Sequence, residues 1–154
     1  MLFLTKDRTL AIALLEGLLK YWPFANCIKE TLFLTELQEV LEVCEVDKIE
    51  HLIPRLFKRI VRCIGGIHLQ VADRAMCFFE NDYFLNILKT YKDKTFPMLV
   101  PVIVDLADNH WHKYDLYYLF DYDFRILQES LIALKTILKE IDPFAFEEAL
   151  RMNA

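Results

Sequence analysis

His110 and His112 form an H-x-H pair with Asp105, Asp108 and Asp115 nearby in sequence, side chains of the kind that hold a divalent metal and activate water. H-x-H alone is a weak signal for such chemistry. The patterns that would strengthen it, H-E-x-x-H, a P-loop, G-x-S-x-G or H-x-E with C-x-x-C, do not occur in the sequence. Cys27, Cys44, Cys63 and Cys77 are spread along helical stretches without a C-x-x-C pair, so neither a disulfide framework nor a zinc site is indicated. Reduced, mostly buried thiols are expected instead. A metal-dependent enzyme at His110 and His112 is therefore the minor alternative, and no catalytic, metal or cofactor-binding residue is assigned.

A chain of 154 residues is the size of one ordinary domain and is long enough to bury a sizeable core. Its net charge of -5 argues against a broad nucleic-acid footprint, which needs clustered Lys and Arg, and no such cluster stands out. No apolar run reaches the roughly 18 residues of a membrane span, and the apolar start Met1 to Leu4 is too short for a signal peptide. Neither nucleic acid nor membrane is expected as a partner, and the cytoplasm, with the nucleus also open, is the expected compartment.

The elements that must position any site are helices. Helical spacing of Leu10, Ala11, Leu14, Leu15, Leu18 and Leu19 predicts a helix from about Lys6 to Tyr21, stopped at Trp22-Pro23. A second is expected from about Lys29 to Cys44, burying Leu32, Phe33, Leu37, Val40 and Leu41. A third opens at Asp47, with Glu50 in capping-box position, and runs to Cys63 before Gly65-Gly66. The stretch HLQVADRAMCFFE, His68 to Glu80, carries an apolar stripe too wide for one facing helix to cover. A short segment follows from Asp82 to Lys89, then a helix from about Lys94 to Ala107. The last long helix is expected from about Phe124 to Ile141, stopped by Asp142-Pro143. Nothing alternates as a strand over a useful length, so the fold class is all-α.

Helix pairs beginning near Thr9, Lys48 and Lys94 recur at about 40 and about 46 residues, the range of HEAT and armadillo repeats. Two of the first helices are expected to contain a proline, Pro54 and Pro101, a cost of about 3 kcal/mol that a curved array can absorb. Val71, Ala72, Ala75 and Met76 suit a second helix packed on its own partner and on the next repeat. The expected architecture is a single domain over 1–154, an alpha-alpha solenoid of HEAT-like, armadillo-type repeats with helix pairs at about 6–45, 47–90 and 94–152.

Several stretches resemble one family. They are LLKYWP (Leu18 to Pro23), FLTELQEVLEV (Phe33 to Val43), LFKRIVRC (Leu56 to Cys63), HLQVADRAMCFFENDY (His68 to Tyr83) and NHWHK (Asn109 to Lys113). Together they resemble the B-prime family of regulatory subunits of protein phosphatase 2A, well from about Thr5 to Lys113 and more loosely in the final helix. The resemblance implies a right-handed superhelical solenoid of which this chain is a C-terminal portion. It also implies a non-catalytic regulatory subunit that binds the phosphatase scaffold and catalytic subunits and directs the enzyme to phosphoprotein substrates. A helical-repeat adaptor unrelated to the phosphatase is the alternative that periodicity alone would allow. The family's pocket for short peptides lies in earlier repeats, and no position here corresponds to it.

Turns at one edge of a solenoid line up across repeats, which makes Trp22 to Lys29, Arg62 to Gln70 and Asp108 to Lys113 the candidate contact segments. The partner-binding candidates are Trp22, Lys29, Arg62, His68, Gln70, Trp111 and His112. Trp22 and Trp111 have a plainer role open to them, as plugs between repeats. Arg62 and Arg74 are expected to be solvated or paired with a local acid rather than to touch a partner, and Glu36, Glu39, Glu42 and Glu45 most simply form a solvated face. The aromatic stretch Lys113 to Arg125 is an insertion relative to the family pattern, expected to pack down on the array with its hydroxyls wet, or else to bind a partner. The wide apolar coverage from Leu2 to Leu19 has no polar capping repeat ahead of it, so self-association through that end is expected.

Overall fold

Asn26 shows how this chain starts a helix: its backbone is extended, and its side-chain oxygen accepts the Lys29 N–H at 3.0 Å. In a computed structural model describing residues 8–23, 26–44, 46–65, 69–109 and 122–152, such caps help delimit eight α-helices and two 3₁₀ segments, with no strand among the described residues. The helices are α1 (Arg8–Lys20), α2 (Cys27–Val43), α3 (Ile53–Ile64), α4 (Leu69–Met76), α5 (Asp82–Thr90), α6 (Lys92–Asn109), α7 (Tyr122–Ile141) and α8 (Pro143–Met152). None of them is long and apolar enough to cross a membrane.

Three local expectations need correcting. Val46–Leu52 is a 3₁₀ segment, so Asp47 does not cap a long helix; α3 starts only at Ile53. Pro54 consequently sits in the first turn of α3, where a missing N–H leaves nothing unpaired, and not inside a helix. Interior prolines occur in α6 alone among these helices, at Pro97 and Pro101. Secondly, Asp142-Pro143 ends α7 but also starts α8, because the Asp142 carboxylate accepts the Ala145 N–H at 3.0 Å and proline suits the first helical position. Thirdly, Leu32 is 60% exposed and Leu34 is the fully buried residue of that turn. Gly65 does close α3, through a hydrogen bond from its N–H to the Val61 carbonyl at 2.9 Å, yet with right-handed backbone (φ -82°) and no left-handed turn.

Packing explains the wide stripe. α4 touches α2, α3 and α7, and Val71, Ala72, Ala75 and Met76 are all buried against them. The same pattern holds along the chain: α1 pairs with α2, α3 with α4, and α6 with α7. First helices contact first helices (α1 with α3, α3 with α6, α6 with α8), and second helices contact second helices (α2 with α4, α4 with α7). The result is a two-layer stack of helix pairs sharing one apolar core that runs from Ala11 to Ala149.

Polar ties fix the register of that stack, and most are spaced by the repeat length. Arg74 donates from Nε to Thr35 Oγ1 at 3.1 Å and from Nη2 to Gln38 Oε1 at 2.7 Å, while Asn81 Nδ2 donates to Glu42 Oε1 at 2.8 Å. The Tyr83 hydroxyl donates to the Cys44 carbonyl. These four ties join residues 36 to 39 apart. Arg74 is thus half-buried and not paired with an acid; it binds neutral side chains of the preceding pair. Behind them, Phe84 stacks on Phe57 with centroids 4.9 Å apart and meets Phe78 and Phe79 edge-on at 5.2 Å each.

Phe84→Ala should therefore lower unfolding stability by about 3–5 kcal/mol in a urea titration, since three rings lose their common neighbour. Val71→Asp should cost about 3 kcal/mol or more by placing a lone carboxylate between helix layers. An unchanged melting temperature for either variant would contradict this packing.

Candidate partner-binding surface

The turn between α1 and α2 is built around Trp22, which is 4% exposed. Its Nε1–H donates to Glu30 Oε1 at 2.9 Å, its ring meets Phe33 edge-on at 5.6 Å, and the Arg59 guanidinium of α3 lies 5.4 Å from its centroid. The indole therefore reaches forward to the next helix pair, and this contact places the α1–α2 turn and the C-terminal half of α3 at the same edge of the stack. Glu30 is itself buried, so the indole proton partners a carboxylate with little access to water. Burial of the Arg59 guanidinium holds its pKa below the usual value; Cys63 and Glu30 oppose that shift, and Arg62 and Arg55 reinforce it.

The other expected contact residues divide by position. Lys29 in the first turn of α2, Arg62 in the last turn of α3 and Gln70 in the first turn of α4 are all exposed. Trp22 is inside, so its contribution to this edge is to hold the turn from within. His68, Trp111 and His112 lie outside the described residues, as does His110. Of the aromatic stretch, residues 122–125 form the first turn of α7 and are not loop, while 113–121 lie outside the described residues. Glu36 is exposed and Glu39 half-buried on α2, Glu42 is engaged by Asn81, and Glu45 is not described.

The chemistry of the remaining candidates is subdued. Asp108 is ion-paired with Lys135 at 2.9 Å, which ties α6 to α7. Among the described residues no group of three His, Cys, Asp or Glu side chains is placed to hold a metal ion. Burial, and then the Glu30 charge, push the Cys63 thiol up to about 12 against the pull of Arg59; burial also raises Cys44 and Cys77. A thiol so raised is protonated at neutral pH and is a poor nucleophile or ligand.

Two features escaped the sequence. Glu30 and Arg59, the partners of Trp22, stand 8 residues after it and on the next pair, respectively; a search near the repeat offset would have found Thr35 with Arg74, Glu42 with Asn81 and Trp22 with Arg59, but not Glu30. The second is charge clustering. α3, IPRLFKRIVRCI, has four cations and no acid, a local stripe hidden by the overall charge of -5.

Stacked helix pairs with a core-anchored turn edge define an α-helical repeat scaffold. Residues 1–154 match the family described as protein phosphatase 2A regulatory B subunit (B56 family). The chain belongs to that family. It is 32% identical, over 96% of its length, to the B' eta isoform of the 59 kDa regulatory subunit of serine/threonine protein phosphatase 2A from Arabidopsis thaliana, covering 27% of that protein. It is 37% identical over 71% of its length to the delta 2 isoform of the 56 kDa regulatory subunit from Schizosaccharomyces pombe, covering 18% of it, and to the alpha isoform of the 56 kDa regulatory subunit from Homo sapiens, covering 23%. The chain thus spans about a quarter or less of the length of these curated relatives.

Removing the Trp22 anchor should be measurable. Glu30→Ala leaves a buried indole N–H without an acceptor and should lower stability by about 1–3 kcal/mol, whereas Glu30→Gln keeps an acceptor oxygen and should lose less. Equal losses in urea unfolding would show that the hydrogen bond is not what holds this turn.

Proposed function

We propose that this chain acts as part of a non-catalytic regulatory subunit of protein phosphatase 2A. In that role it engages the phosphatase scaffold and catalytic subunits and helps direct the enzyme to phosphoprotein substrates, in the cytoplasm first and with the nucleus also open to it. The observation that carries this is the family match over all 154 residues. The stack of helix pairs, whose turn edge is anchored by Trp22 and presents Lys29, Arg62 and Gln70 to solvent, supports a scaffold role. His68, Trp111 and His112, in or beside turns of the same kind by sequence, complete the proposed contact set.

Purified scaffold and catalytic subunits of the phosphatase should bind this chain saturably, and Lys29→Glu or Trp111→Ala should weaken that binding several-fold in a calorimetric titration. Absence of binding, with the chain shown folded by circular dichroism, would count against the assignment of these late turns.

A second association is favoured by one specific observation. Leu10, Leu14, Tyr21, Ile28 and Leu32, all on or beside the α1–α2 pair, are 38% to 70% exposed. Exposed apolar surface of this kind favours burial against another surface. The chain should self-associate through this face, with sedimentation velocity showing concentration-dependent dimers that Ile28→Lys with Leu32→Lys abolishes. A strict monomer at high concentration would rule it out.

A further inference from the structure

α3 carries Arg55, Lys58, Arg59 and Arg62 at offsets of three, four and seven residues, which places them along one side of a helix. Arg59 is half-buried over Trp22, but Arg55, Lys58 and Arg62 are exposed. Among the described residues these three make no ion pair or side-chain hydrogen bond. Three acids of the adjoining elements are engaged elsewhere: Glu16 lies 3.3 Å from His51, Glu50 is 3.3 Å from Lys94, and Glu30 holds the Trp22 indole. Exposed acids stand in both layers, as Glu36 on α2, Asp73 on α4 and Glu129 on α7, and as Asp93 and Asp105 on α6 and Glu147 on α8, but none stands on α3 itself. α3 therefore holds a cationic stripe with no acid of its own in a protein whose net charge is -5.

Like charges held together without counterions repel one another, and the stripe gains most from a partner that supplies carboxylates. The span from Arg55 to Arg62 is about 10.5 Å at 1.5 Å per residue. An extended chain advances about 6.6 Å for every second residue, so carboxylates on alternate residues reach successive cations. Two of the three cations are arginines, whose planar guanidinium takes a carboxylate in two parallel hydrogen bonds. We propose that the exposed face of α3, with Arg55, Lys58 and Arg62, is a docking surface for an extended Asp/Glu-rich segment of a partner protein. This goes beyond the regulatory role and needs neither phosphatase subunit to be present.

The test uses the full chain and a fluorescent peptide of alternating glutamate and serine, with an alternating glutamine and serine peptide as control. Fluorescence anisotropy should show saturable binding of the first only. Its affinity should fall about tenfold or more in a variant carrying Arg55→Glu, Lys58→Glu and Arg62→Glu, and should weaken steadily with added salt. Circular dichroism should show that variant folded, since all three positions are exposed. The proposal is overturned by equal binding of the glutamine peptide or by undiminished binding of the variant. A peptide with phosphoserine at the same positions that binds where the glutamate peptide does not would overturn it too. So would loss of self-association in the variant without any effect on peptide binding, which would assign the stripe to a second copy. Failure of phosphatase binding would leave each of these readouts untouched.

Discussion

Each helix pair in this chain has more apolar surface than its two members can cover for each other, and the rest of the structure follows from that constraint. α4 is the clearest case. Ala72 and Ala75 are fully buried and small, which lets neighbours approach closely, while Val71 and Met76 fill the space on either side. With only the pair α3–α4 present, part of this surface would face water; α2 and α7 cover the remainder. Apolar burial is non-directional, however, and would tolerate a slipped stack. The polar ties 36 to 39 residues apart supply the missing specificity, because Arg74, Asn81 and Tyr83 each find partners at only one register.

The same division of labour governs the turn edge. Trp22 is chemically suited to a partner interface, yet it spends its N–H on Glu30 and its ring face on Arg59. What it gives the surface is position. By joining the first turn to the second helix pair, it fixes the direction in which α2 and α3 present their ends, and so where Lys29 and Arg62 stand. A solenoid builds a surface from segments that are distant in sequence, and such a surface is only as well defined as the buried contacts beneath its turns.

The helices were legible because their apolar stripes are long and their punctuation is sparse. What sequence could not settle was which side of a stripe faces inward when apolar residues run nearly all the way round. α2 is the example: Ile28, Leu32, Leu34 and Leu37 all fit a helical stripe, but only Leu34 and Leu37 meet the next layer, while Ile28 and Leu32 stay exposed. Proline is ambiguous for a related reason. Pro54 reads as interior because the apolar pattern continues upstream of it, and a 3₁₀ segment can carry that pattern as well as an α-helix over one or two turns. Asp142-Pro143 reads as a stop, though the same residues are a good start, with an acceptor side chain before a residue that needs no donor.

Arg74 and Arg62 show why contact surfaces are harder to read than cores. Both are arginines on successive helices, and the sequence reads both as solvated or paired with a local acid. Arg74 turns toward α2, where Thr35 and Gln38 meet it, and the face of Phe78 lies 5.6 Å from its guanidinium. Arg62 has no such partners on its side of α3 among the described residues and remains exposed. The difference lies in what stands about 40 residues earlier in the chain, a position that composition and the spacing of apolar residues do not weigh. Charge behaves the same way: a net value sums over every face of the stack, whereas a partner meets one face at a time. A chain that is acidic as a whole can thus present a cationic helix, and the sign that matters for recognition is set by the stacking of helices and not by the total.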